Sequence, residues 1–270
     1  MDTPNPQVEA VVEAILKKAK YRAILPGLVE ALAAEELAKG RKLKDAVKEV
    51  SSRLHKAGAA YFNAAPDYAV WKAELAGLPP DLNSPQVKAF CLKAMMSHSS
   101  TRERLPILED FFEITLASIA PVESVLDLAC GLNPLAIPWM PLAENARYQG
   151  CDIFSDMADF LDQFTGRFGI KGSFESCDLT QLLFPQRAQV AFLLKTLPCL
   201  EQLDKGISPK LLDAVPADHL LISYPIRSLG GRAKGMGRTY ETQFEKLIAN
   251  RNWQAERFEF RTELAFLVSK

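Results

Sequence analysis

Three aspartates stand where short apolar runs stop: Asp127 inside Val125-Leu126-Asp127-Leu128, Asp152 after Tyr148–Cys151, and Asp178 after Phe174–Cys177. If those runs are strands of an open α/β sheet, each carboxylate lies at a carboxyl end, where such sheets bind ligands. Asp152, 25 residues after Asp127, suits both hydroxyls of a ribose, with Ile153 beside it. Asp178 suits an adenine amino group, with Leu179 against the ring. The turn after the first run is Ala129-Cys130-Gly131-Leu132-Asn133-Pro134. Gly131 lets the backbone pass close to a ligand, and Asn133 with Pro134 opens a helix at once. A pyrophosphate would call for Gly-x-Gly-x-x-Gly, whose glycines expose backbone N–H groups. Here Ala129 and Asn133 flank the one glycine. A nucleoside cofactor without phosphates fits better than NAD, and S-adenosylmethionine is the reading.

Methyl transfer from a sulfonium is an in-line displacement, so positioning dominates. The Asn/Asp-Pro-Pro-Tyr/Phe motif of amino-methylating enzymes is absent; after the fourth strand stands Lys195-Thr196-Leu197-Pro198-Cys199-Leu200-Glu201-Gln202. No cysteine pair has the spacing for covalent catalysis on a pyrimidine, and Cys130 reads as a small packing residue. No acid or base is assigned; Lys195 and Gln202 are positioning candidates. An acceptor already nucleophilic and proton-free, such as guanine N7, needs no more than this.

The elements that must hold these residues fall into two textures. Up to about residue 100 the apolar residues recur at helical spacing: Val8, Val11, Val12, Ile15 and Leu16; Leu28, Leu32 and Leu37; Leu43, Val47, Val50 and Leu54. Pro26-Gly27, Gly40, Gly58 and Gly77–Asp81 punctuate them, Pro85 opens another helix, and one more is expected from Thr101 to Ala117. From Pro121 strands are expected at 124–128, 147–151, 172–176, 190–194 and 219–224. Helices at 134–141, 155–168, 179–183 and 208–215 intervene, which means βαβ units and a mostly parallel sheet. A helix at 240–250 and a hairpin of 254–260 with 262–268 add an antiparallel pair. The expected fold is α/β: a Rossmann-like class I methyltransferase domain (101–270) behind a helical domain (1–100).

With 48% hydrophobic residues the chain can build a substantial core. No apolar run approaches the ~20 residues of a membrane helix, and no signal peptide is visible. Five cysteines without a Cys-x-x-Cys pair read as reduced thiols in a cytoplasmic protein, with no metal site. The net charge is −1, but its distribution is uneven. Residues 17–56 hold 11 Lys/Arg against 5 Asp/Glu, whereas residues 105–220 hold 7 against 16. Arg227, Arg232, Lys234 and Arg238 form a second basic stretch. Basic ends around an acidic middle suit a polyanion.

Together, His98-Ser99-Ser100-Thr101-Arg102-Glu103-Arg104-Leu105, Asp127–Leu135, Leu193–Gln202 and Ser223-Tyr224-Pro225-Ile226-Arg227-Ser228-Leu229-Gly230-Gly231-Arg232-Ala233-Lys234-Gly235-Met236 resemble a known family. It is the aminoglycoside-resistance methyltransferases acting on guanine N7 (nucleotide 1405) of 16S rRNA. The resemblance spans nearly the whole chain. It implies that Arg104 holds the methionine carboxylate of the cofactor and that Gln202 lies near it. Asp152, Asp178 and Leu179 keep the roles read above, and Asp127, Ala129, Gly131 and Ile153 complete the expected cofactor set. Arg102, Arg227, Arg232 and Lys234 would line the target side, with Gly230 and Gly231 letting that loop close over a flipped base. The helical part would dock on the assembled 30S subunit through Lys17, Lys20, Arg53, His55 and Lys56. A monomer is expected. The alternatives are a methyltransferase acting on another rRNA position, a small molecule or a protein, and a non-catalytic RNA-binding or assembly protein.

Overall fold

The structure, a computed structural model, describes residues 5–62, 66–184, 186–226 and 236–270. Five helices come first: α1 (Pro6–Leu16), α2 (Pro26–Ala38), α3 (Leu43–Ala57), α4 (Tyr68–Ala76) and α5 (Pro85–Met95). Their starts are written in the sequence. Pro6, Pro26 and Pro85 occupy first-turn positions, where a missing N–H costs nothing. Asn5, Asp67 and Ser84 cap free backbone donors of α1, α4 and α5.

The expected helix at 101–117 is two, α6 (Ser99–Arg104) and α7 (Leu108–Leu116), split by a 3-10 turn over Leu105–Ile107. Pro106 is the cause, since it cannot donate within a helix. The helix expected at 134–141 is a 3-10 run, Asn133–Trp139, with Pro138 inside it. The one at 179–183 is a single 3-10 turn, Leu179–Gln181.

The strands are β1 (Val122–Leu128), β2 (Leu142–Asp152), β3 (Phe174–Ser176), β4 (Ala188–Leu194), β5 (Ala217–Pro225), β6 (Gln254–Glu259) and β7 (Glu263–Ser269). Between them run α8 (Ser155–Arg167), α9 (Thr196–Leu200), α10 (Ile207–Ala214) and α11 (Met236–Ile248). The sheet order is β3-β2-β1-β4-β5-β7-β6, with β7 antiparallel between β5 and β6. The apolar strands β4 and β5 lie at the centre, buried on both faces, while β6 forms an exposed edge. The order reverses between β1 and β4, so the switch point lies where their carboxyl ends part.

One core runs through both parts, from Val11, Ile15 and Val29 to Phe192 and Leu221. The helical part is also bonded to the sheet part directly. Leu25 N donates to Ile153 O at 2.9 Å, Ser155 N donates to Ala23 O at 2.8 Å, and Ile24 bridges Phe154.

The expectation of five reduced thiols is corrected at one pair: Cys151 and Cys177 are joined as a disulfide, with Cα atoms 5.7 Å apart. The parallel register sets Cys151 opposite Glu175, which brings Cys177 past the strand end within reach. Cys91, Cys130 and Cys199 are free.

Candidate active site

A cavity opens at the switch point, where sheets of this kind bind ligands. The sheet contributes Ala129 and Cys130 after β1, Asp152 and Ile153 at the end of β2, Asp178 and Leu179 after β3, and Leu194 to Thr196 at the end of β4. From α6 come Ser100, Thr101 and Arg104, and from α9 and its continuation Cys199, Leu200 and Leu203. The helical part closes it with Ala57, Gly58, Tyr61 and Phe62, and His98 stands between.

The turn is shaped by two left-handed residues, Ala129 (φ +54°) and Gly131 (φ +51°). A Cβ on Gly131 would meet His98 Cε1 at 2.8 Å, so only glycine lets the turn and the imidazole lie this close. Gly131 N donates to Asp152 Oδ2 at 2.9 Å, and Ile153 N donates to Oδ1 at 2.7 Å. Burial pushes Asp152 up to about 6, against those backbone hydrogen bonds. Asp178 accepts from Thr180 N and Oγ1 at 2.9 and 2.7 Å, capping the turn that presents Leu179 to the cavity.

Arg104 is fully buried. Its two terminal nitrogens donate to Asn133 Oδ1 at 2.8 Å and Glu263 Oε2 at 3.0 Å, and it lies over the Phe111 ring. Its Nε has no partner. Lys195, in the left-handed region (φ +61°), donates to Ser100 O at 3.1 Å and Glu103 Oε2 at 2.8 Å and lies 3.2 Å from Glu263 Oε1. A bulky residue in that conformation is held there by its surroundings. Burial works to raise the pKa of Glu263; the charges of Arg104 and Lys195, with hydrogen bonds from Arg104 and Ser223, outweigh it and hold the carboxyl below its usual value. His98 is held at about 3, first by burial and then by the charges of Lys195, Arg104 and Arg102. It faces the cavity as a neutral ring, packed on Tyr61 and Phe62.

The structure thus gathers Arg104, Ala129, Asp152, Ile153, Asp178, Leu179 and Lys195 in one cavity, with Gly131 bonded to Asp152. Asp127 is not among them. It is buried behind the turn, accepting from Asn133 Nδ2 at 2.8 Å and the Tyr148 hydroxyl at 2.6 Å. It orients the amide whose oxygen holds Arg104. Gln202 is not there either: it is exposed and lines a separate groove with Pro198, Tyr224 and Tyr240.

Of the basic residues, Lys17, Lys20, His55 and Lys56 are exposed on the helical part and Arg102 is half-buried beside Ser99. Arg53 is turned inward onto Glu35, Glu36 and the Leu203 carbonyl. Arg227, Arg232 and Lys234, with Gly230 and Gly231, lie outside the described residues. The site residues that sequence reasoning missed are Tyr61, Phe62, His98 and Glu263. Only Glu263 carries a legible signal, as the lone acid heading the apolar run Leu264–Val268.

Among the described residues no helix is long and apolar enough to cross a membrane, and no cluster of His, Cys, Asp and Glu could hold a metal.

A sheet of this order, with one antiparallel strand inserted near its edge and the ligand cavity over β1 and β4, is the class I methyltransferase architecture. The sequence matches the ribosomal RNA methyltransferase (FmrO) family over residues 17–267, and the chain belongs to that family. A 16S rRNA (guanine(1405)-N(7))-methyltransferase of Micromonospora echinospora is 34% identical over 269 residues, covering 99% of this chain and 98% of that protein. One from Frankia casuarinae is 35% identical, covering 97% and 94%. The crystal structure of the 16S rRNA methyltransferase RmtF with S-adenosyl-L-homocysteine superposes with a TM-score of 0.83 at 30% identity, covering 100% of this chain and 99% of that one.

Proposed function

We propose that this protein transfers the methyl group of S-adenosylmethionine to N7 of guanine 1405 in 16S rRNA, acting on the assembled small subunit. The observation that carries the reading is the cavity at the switch point, where two carboxylates and a buried guanidinium with a spare donor converge. Those groups match the three polar ends of the cofactor. Asp152 accepts the ribose hydroxyls, and Asp178 with Leu179 takes the adenine. Arg104, anchored by Asn133 and Glu263, leaves Nε for the methionine carboxylate. When bound, the cofactor supplies an electrophilic methyl on a sulfonium. Lys195, fixed by Glu103 and Glu263, orders the wall after β4 on the acceptor side. Guanine N7 has a free lone pair and needs no proton removed, so a site of rigid positioning groups suffices. Lys17, Lys20, His55 and Lys56 form the docking face for rRNA phosphates, and Arg102, Arg227, Arg232 and Lys234 are further contacts to the RNA. The protein acts as a monomer in the cytoplasm, and its methylation protects the decoding region from aminoglycosides.

Incubation with labelled cofactor and purified 30S subunits, then borohydride–aniline cleavage, tests this. Strand scission at nucleotide 1405 is expected. Label on an adenine, a cytosine or protein would refute the target, and transfer to naked rRNA but not to subunits would refute the assembled substrate.

A further inference from the structure

Arg53 lies on the helical part, yet only 13% of its side chain meets solvent. Its guanidinium donates to Glu35 Oε2 at 2.8 Å and Glu36 Oε1 at 2.9 Å on α2, and to the Leu203 carbonyl oxygen beyond α9. One side chain therefore joins α2, α3 and the far wall of the cavity, since Leu203 and the preceding Cys199 and Leu200 line it. Further along the same helix, Ala57 and Gly58 form the facing wall, and Tyr61 completes it. There the Tyr61 hydroxyl meets Cys199 Sγ at 2.9 Å. Arg53 and Tyr61 thus make two polar links across one seam, and the seam borders the cavity.

We infer that Arg53 is a positioning residue for the cofactor, not a phosphate contact: it clamps α3 against the segment after α9 and so sets the width of the cavity. The inference rests on the cofactor reading above. The chemistry requires an arginine. Three acceptors on two elements must be held at once by a flat fork of fixed geometry. A lysine keeps the charge and one carboxylate partner but loses the simultaneous grip. Glu35 and Glu36 also bind Lys39, and Glu36 binds Arg41, so this acidic pair is already anchored and the guanidinium is oriented from behind. Three of its five N–H donors are taken up by protein acceptors.

Two roles for Arg53 predict opposite patterns in Arg53→Lys and Arg53→Gln. A positioning role weakens S-adenosylhomocysteine binding by about tenfold in both variants without RNA, a size usual for coupled sites. It also raises KM for S-adenosylmethionine more than it lowers kcat, and leaves the salt slope of 30S binding at its wild-type value. A phosphate contact leaves the calorimetric affinity unchanged, lowers the salt slope in Arg53→Gln and restores it in Arg53→Lys. That second pattern, or affinities within roughly twofold of wild type in both variants, overturns the inference. Should neither variant fold, hydrogen exchange on the unaltered protein decides. S-adenosylhomocysteine should slow exchange in residues 50–57 and 199–206 together, and protection confined to residues 127–180 overturns the clamp. Failure of the unaltered protein to bind S-adenosylhomocysteine would sink the functional reading instead.

Discussion

Asp152 holds its proton more tightly than an ordinary aspartate, because burial pushes it up to about 6. On the proposed reading the ribose hydroxyls donate to this carboxylate, so the cofactor would select its ionised form. The carboxyl is protonated below about pH 6, and binding must then expel that proton. Affinity for S-adenosylhomocysteine should therefore be flat near pH 8 and fall as pH drops through 6, approaching tenfold per unit. Calorimetry from pH 5 to 8 checks this, and Asp152→Asn should bind weakly at every pH. Asp127 also titrates near 6, again through burial, but it does not line the cavity. Asp127→Asn should keep the pH dependence while weakening binding through Asn133 and Arg104; a lost pH dependence there would reassign the titration. His98, held at about 3, contributes nothing across this range. Gly131→Ala should cost at least about tenfold in cofactor affinity, since φ is +51° and the added methyl meets His98 at 2.8 Å. Wild-type affinity in that variant would show that the turn and the imidazole move apart freely.

At the scale of elements, the pairing of β2 with the segment leading into β3 depends on another glycine. Gly172 has φ +154°, and a Cβ there would lie 1.8 Å from the Tyr148 carbonyl oxygen. Gly172→Ala should destabilise the fold by about 3 kcal/mol or more, read as a lowered melting temperature. An unchanged melt would mean that β2 and this segment separate without cost. Much of this layer was legible in the residues. Apolar residues at helical spacing, Pro85 at a helix start and short apolar runs located most elements, and the Gly-poor turn identified the cofactor class. What was not legible follows from physics that spacing does not carry. Pro106 and Pro138 turned expected helices into shorter pieces, because apolar periodicity says nothing about a missing donor. Asp127 looked like a ligand because it ends a strand; that Tyr148 and Asn133 occupy it is a matter of side-chain reach. Tyr61, Phe62 and His98 escaped because residues of the helical part meet the sheet only in three dimensions. The family resemblance implied Arg53 as a docking contact, whereas its carboxylate partners on the neighbouring helix draw it inward.

For the whole molecule, the proposed docking face and the proposed cofactor cavity are different surfaces. Lys17, Lys20 and Lys56 are exposed and outside the cavity, so the triple change to Gln should weaken 30S binding and flatten its salt dependence by up to about three charges. Its affinity for S-adenosylhomocysteine should equal that of the unaltered protein. Equal subunit affinity at several salt concentrations would instead make these lysines ordinary solvated charges. The chain is made in a fixed order, from the N-terminus to the C-terminus. Arg104 and Lys195 are both fixed by Glu263, which enters on β7, and β7 lies between two earlier strands. Domains gain structure from the N-terminus as they leave the ribosome. Until β7 is released and slots in, the guanidinium and the ammonium have no shared carboxylate and β6 has no neighbour. A chain lacking that strand therefore lacks the one carboxylate that both cations beside the cavity share.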